Sequence, residues 1–134
     1  MPKINVYTDI SLEEREAKKD YIDRHSPFIH GEATAKAGEV YNVTVKVGAD
    51  YQHPDDLDHY IASVALYNGE TKVAESTFFA GSQGGQGQKG NTTVTFGIVL
   101  EKNAKLVAHA YCTKHGLWES LPFEVAVEKE AVAA

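Results

Sequence analysis

Cysteine is almost missing from this chain: Cys112 stands alone, so no intrachain disulfide can form and no four-cysteine iron or zinc centre can be built from it. The single thiol is left as a buried structural group, a reactive nucleophile or a metal ligand. Methionine and tryptophan are equally scarce, with only Met1 and Trp118. No apolar run approaches the roughly 20 residues that cross a bilayer, which argues against a membrane partner. The stretch from Met1 to Glu16 lacks the basic, apolar and small-residue blocks of a secretory signal, so a cytoplasmic location is expected. Basic residues are outnumbered, 13 Lys and Arg against 19 Asp and Glu, for a net charge of −6. That balance excludes nucleic acid as a partner, because binding a phosphate backbone needs a basic face. An anionic substrate is repelled at long range by such a chain, so a site that attracts one must be locally positive.

What is present suits one ordinary domain over residues 1–134, with residues 1–20 as an N-terminal extension and 128–134 as a fraying tail. Ser11 and Glu14 form a capping box, and Glu14 and Lys18 stand at helical spacing, which predicts one short helix over Ser11 to Asp20. After Pro27 the pattern turns to period two. Tyr41, Val43, Val45 and Val47 alternate with Asn42, Thr44 and Lys46, and similar strands are expected near 59–67, 72–79, 92–100, 105–111 and 122–127. Asn68-Gly69 and Lys102-Asn103 supply turns between them. Short strands without intervening helical periods predict an all-β chain, an immunoglobulin-like antiparallel β-sandwich with a short N-terminal helix. Gly81 to Gly90 is ten residues of glycine and polar side chains, read as a mobile loop able to act as a lid.

The chemistry lies in six histidines and the cysteine. Cys112 and His115 form a Cys-x-x-His step where a strand ends, an arrangement that lets strand and loop hold one metal from two directions. His53 lies on an acidic loop that leads to His59 at the start of a strand, and His25 on the turn after the helix. His109 has the opposite strand parity to Cys112 and so points to the other face. His30 has no partner at metal spacing and reads as an exposed loop residue. On spacing alone, a shared metal site and a set of unrelated loop histidines around a buried thiol both stand.

Three blocks carry a resemblance. Cys112-Thr113-Lys114-His115-Gly116-Leu117-Trp118 resembles the Cys-x-x-His-Gly-Leu-Trp signature of the superoxide reductases, the neelaredoxin and desulfoferrodoxin family. Val47-Gly48-Ala49-Asp50 with His53-Pro54 and His59 is similar to that family's Val-Gly-Lys-Glu, His-Pro and His segments, and Asp23-Arg24-His25-Ser26-Pro27 to its Glu-Lys-His-x-Pro loop. The resemblance implies one non-haem iron per chain, cycling between Fe²⁺ and Fe³⁺, with four histidine ligands and one axial cysteine: His25, His53, His59, His115 and Cys112. It implies reduction of superoxide to hydrogen peroxide, an external one-electron donor such as rubredoxin, an immunoglobulin-like sandwich, and a homo-oligomer, tetramer or dimer.

The family lysine that draws in the anion falls at Arg24, and the glutamate able to reach the open iron position falls at Asp23. A guanidinium keeps the attraction but not the proton, and Asp23 is one methylene shorter. Tyr60 and Ala62 stand where the family carries a further histidine and tryptophan. The alternatives are a cupredoxin-like electron-transfer protein, a non-enzymatic sandwich, and a metal-binding relative without reductase activity. The first suffers from the lack of a methionine after His115.

Overall fold

The computed structural model describes residues 3–51, 53–56, 58–84 and 91–129. Two sheets face each other. The smaller contains β2 (Pro27–His30), β4 (Val40–Val47) and β7 (Thr93–Val99) in the order β2-β4-β7. The larger runs β1 (Ile4–Val6), β9 (Gly116–Glu119), β8 (Ala104–Cys112), β10 (Phe123–Glu128) and β3 (Thr34–Lys36), with β5 (Ile61–Asn68) on β8 and β6 (Thr71–Thr77) on β5. This is the expected sandwich. Its main ladders are antiparallel, but two short edge pairs, β1 with β9 and β10 with β3, are parallel.

Period-two alternation explains the packing. Tyr41, Val43, Val45 and Val47 of β4 turn inward against Val64 and Leu66 of β5 and Leu106, Ala108 and Ala110 of β8. The same inward register on β8 carries Cys112 to the end of the core, fully buried, and leaves His109 on the outer face. There His109 pairs with Glu119 at 2.9 Å and its ring packs on Tyr67. A register shift between Ile61 and Ser63 breaks the β5–β8 ladder beside Cys112, the kind of irregularity that re-aims side chains.

The N-terminal helix departs from expectation. Ser11 caps it, accepting from the Glu14 amide at 3.2 Å, but α1 (Leu12–Ala17) stops at Lys18 and a second helix, α2 (Lys19–His25), continues past Asp20. The reason is tertiary: α2 buries Ile22 and His25, three residues apart on one face, and this burial supports a turn that local propensity alone does not mark. Pro27 then ends the helix and opens β2. His25 therefore sits in a helical last turn, not in the turn after it. Strands β1, β2, β3 and β9, three or four residues each, are too short to display an alternation.

Among the described residues no helix is long and apolar enough to cross a membrane. Of the glycine-rich loop, residues 85–90 lie outside the described residues, as do 130–134 of the tail. Ser82 and Gln83 form a turn in which the Gln83 amide donates to the buried Asp55 carboxylate, tying that turn to the His53 loop.

Candidate metal centre

Three chain segments meet at one end of the sandwich. The last turn of α2 delivers His25, the loop between β4 and β5 delivers His53 and His59, and the end of β8 with its turn into β9 delivers Cys112 and His115. His59 is fixed by a small β-bridge to Asp56, two residues before β5. Ligand atoms of His25, His53, His59 and Cys112 all lie within 4.8 Å of one another. His115 closes the group: its Nδ1 is 3.0 Å from His25 Nε2, 3.1 Å from His59 Nε2 and 3.8 Å from Cys112 Sγ. His53 Nε2 lies 3.2 Å from the same sulfur.

The four rings form a closed square. Neighbouring centroids are 4.8 Å apart for His25–His53, 4.6 Å for His53–His59, 4.8 Å for His59–His115 and 4.8 Å for His115–His25, with planes 75–81° apart. Across the square, His25 and His59 are 6.1 Å apart. Half of that is about 3 Å, the reach from an imidazole centre to a first-row ion bonded to the ring nitrogen at about 2.1 Å.

The donor set fits a cation. Nδ1 of His25 faces the Tyr21 carbonyl at 2.7 Å and Nδ1 of His53 faces the Pro54 carbonyl. A carbonyl only accepts, so both Nδ1 atoms carry the proton and both Nε2 atoms turn a lone pair inward. Nitrogen lone pairs packed about 3 Å apart repel one another unless a proton or a metal ion lies among them. Protons are disfavoured here. Burial pushes His25 down to about 3, helped by His53, His115 and His59, and pushes His53 down to about 4, helped by His59, His115 and Arg24. Burial lowers His59 too, with His115 and Lys114 adding to it, and lowers His115, with Lys114 and Arg24 adding to it. Four neutral imidazoles are the ligating form.

Burial raises the Cys112 thiol, opposed by the amides of Lys114 and His115 and by the Lys114 charge. The His115 amide donates to Sγ at 3.3 Å. A bound cation would override the burial and draw the thiol to thiolate.

The walls are aromatic. Trp118 stacks on His25, centroids 5.1 Å apart and planes 20° apart, while Tyr21 meets His25 at 4.6 Å and His115 edge-on at 5.2 Å. Trp118 is both pocket wall and core: it is buried and touches a cluster histidine. The sequence reading missed Tyr21 and Lys114. Four residues separate Tyr21 from His25, one helical turn, and that spacing was a usable signal.

Asp23 and Arg24 go elsewhere. Oδ2 of Asp23 accepts from the amides of Ala49, Asp50 and Tyr51 at 3.0, 3.0 and 2.8 Å. Arg24 bonds back to the Asp20 carboxylate and to the Asp20 carbonyl, both at 3.1 Å. This is a partly exposed i,i+4 pair worth little stability, yet the Arg24 charge still bears on His53, His59 and His115.

Comparison with known proteins agrees with this geometry. The desulfoferrodoxin family model matches residues 13–121. Neelaredoxin from Megalodesulfovibrio gigas is 31% identical over 109 residues, covering 73% of this chain and 84% of its own length. A superoxide reductase from Pyrococcus furiosus is 32% identical over 109 residues, covering 73% and 86%. The solved superoxide reductase (neelaredoxin) from Ignicoccus hospitalis superposes with a TM-score of 0.70 at 27% identity, over 93% of this chain and 95% of that one. With one family model spanning every residue of the histidine square and all of the sandwich except β1 and β10, the chain belongs to the desulfoferrodoxin family.

Proposed function

We propose that this protein is a superoxide reductase, reducing superoxide to hydrogen peroxide at a mononuclear iron held by His25, His53, His59, His115 and Cys112. The observation that carries the reading is the square of four imidazoles set beside one buried thiol, with the His25 and His53 lone pairs turned inward. Four neutral nitrogens, one thiolate and a ferrous ion sum to about +1, so the centre attracts an anion although the chain carries −6. When bound, iron supplies the electron and one coordination position free of protein ligands.

The surrounding side chains do the rest. Arg24 and Lys114 add positive charge beside the ring nitrogens and steer the anion inward. A guanidinium stays protonated, so Arg24 attracts without donating, and protons for the peroxide come through water. Tyr21 and Trp118 hold His25 and narrow the access of solvent to the square. The amides of Lys114 and His115 point at the sulfur and favour its anionic form.

The reading includes one iron per chain and an external one-electron donor of the rubredoxin kind, because the sequence holds no second cysteine from which another redox centre is built. Homo-oligomeric assembly, which the family resemblance implies, belongs to the same reading. The test is rapid mixing of the reduced, iron-loaded protein with superoxide. Superoxide should vanish far faster than it decays spontaneously, more slowly in Arg24→Glu at low salt, and an unchanged decay would sink the proposal.

A further inference from the structure

Asp23 lies two residues before His25 on α2, and Tyr51 lies two residues before His53 on the next segment. A single carboxylate oxygen joins them. Oδ2 of Asp23 takes the amides of Ala49, Asp50 and Tyr51, three successive N–H groups that form a small anion nest. The turn is made for this. Gly48 has φ +85°, and a Cβ there would stand 2.0 Å from the Tyr51 carbonyl oxygen, so only glycine lets the chain fold over the carboxylate. A second tie runs alongside, from the Gly48 amide to the Ser26 carbonyl at 2.9 Å.

We propose that Asp23 is a positioning residue, whose carboxylate clamps the 48–51 turn to α2 and so holds His53 in register with His25 and Cys112, and that it does not serve as a ligand to the metal. The inference rests on the metal-centre reading above. Its physical basis is that three charge-assisted hydrogen bonds hold a short side chain better than a longer reach toward the square would. Aspartate suits the nest because one methylene separates carboxylate and backbone. Through Arg24 and His25 the same three-residue stretch supplies a charge near the centre and one of its rings, so the clamp registers all of them at once.

The test compares iron-loaded wild type with Asp23→Ala and Asp23→Asn. Residues that hold metal ligands in place typically cost about 10–100-fold in metal affinity when removed. Asp23→Ala should therefore lose iron to a chelator at least about tenfold faster than wild type. Asp23→Asn keeps an acceptor oxygen without the charge and should restore part of the retention. The thiolate-to-iron absorption band of the oxidised protein should keep its wavelength in both variants, at every pH where iron is held. A band shifted in Asp23→Ala would make Asp23 a ligand and overturn the inference, as would chelator loss at the wild-type rate. Should Asp23→Ala not fold, Asp23→Asn alone decides, because retention equal to wild type refutes the clamp. Failure of wild type itself to hold iron would strike the metal-centre reading instead.

Discussion

The indole of Trp118 lies nearly parallel to the imidazole of His25, and its Nε1–H donates to the His115 carbonyl at 3.2 Å. One side chain thus braces two adjacent corners of the square, the ring from α2 and the ring from the β8–β9 turn. Trp118→Ala should cost about 3–5 kcal/mol in stability, the usual loss for a buried aromatic. Trp118→Phe keeps the stacking, loses the hydrogen bond, and should cost about 1–3 kcal/mol for the unsatisfied carbonyl. Urea unfolding of the metal-free forms measures both, and equal stability of the two variants would show that the ring face contributes nothing.

Cys112 is expected to be the source of colour. Cys112→Ser should still bind iron through imidazoles but lose the thiolate-to-iron charge-transfer absorption of the oxidised protein. Survival of that band would move the sulfur off the metal.

His109 and His30 lie away from the square, the first paired with Glu119 on the outer face and the second exposed at the end of β2. His109→Asn and His30→Asn should leave iron content unchanged. Elemental analysis of the two variants checks this, and a loss of iron in either would mean that the histidines had been sorted wrongly.

Buried neutral histidines make the metal-free protein sensitive to acid. His25 titrates near 3 and His53 near 4 when folded, against an ordinary value of 6.5 when unfolded. Below about pH 6.5 the unfolded chain takes up protons that the folded chain refuses, so stability is complete above that pH and falls as the pH drops toward 4. Thermal unfolding of metal-free protein should give a lower Tm at pH 5 than at pH 7.5. A Tm unchanged or raised at pH 5 would mean that these rings are solvated.

The fold was legible wherever a strand was long enough to alternate, as in Val40–Val47, and β8 even gave the side on which Cys112 and His109 lie. The four short strands were not legible, because three or four residues carry no period. The extension of the helix to His25 was missed for a related reason: it is supported by burial of Ile22 and His25 against the sandwich, which no local pattern records. At the site, spacing alone left a shared metal site and unrelated loop histidines both open, and the family resemblance supplied the five side chains now found together. The use of Asp23 was illegible, since it depends on amides of residues 26–28 positions away. Backbone donors leave no mark on the sequence except Gly48.

The central claim is tested most directly by the product balance when reduced, iron-loaded protein consumes superoxide in the presence of an external electron donor. The account predicts one hydrogen peroxide for each superoxide and no dioxygen. Dioxygen released together with half as much peroxide would make the centre a dismutase and contradict it.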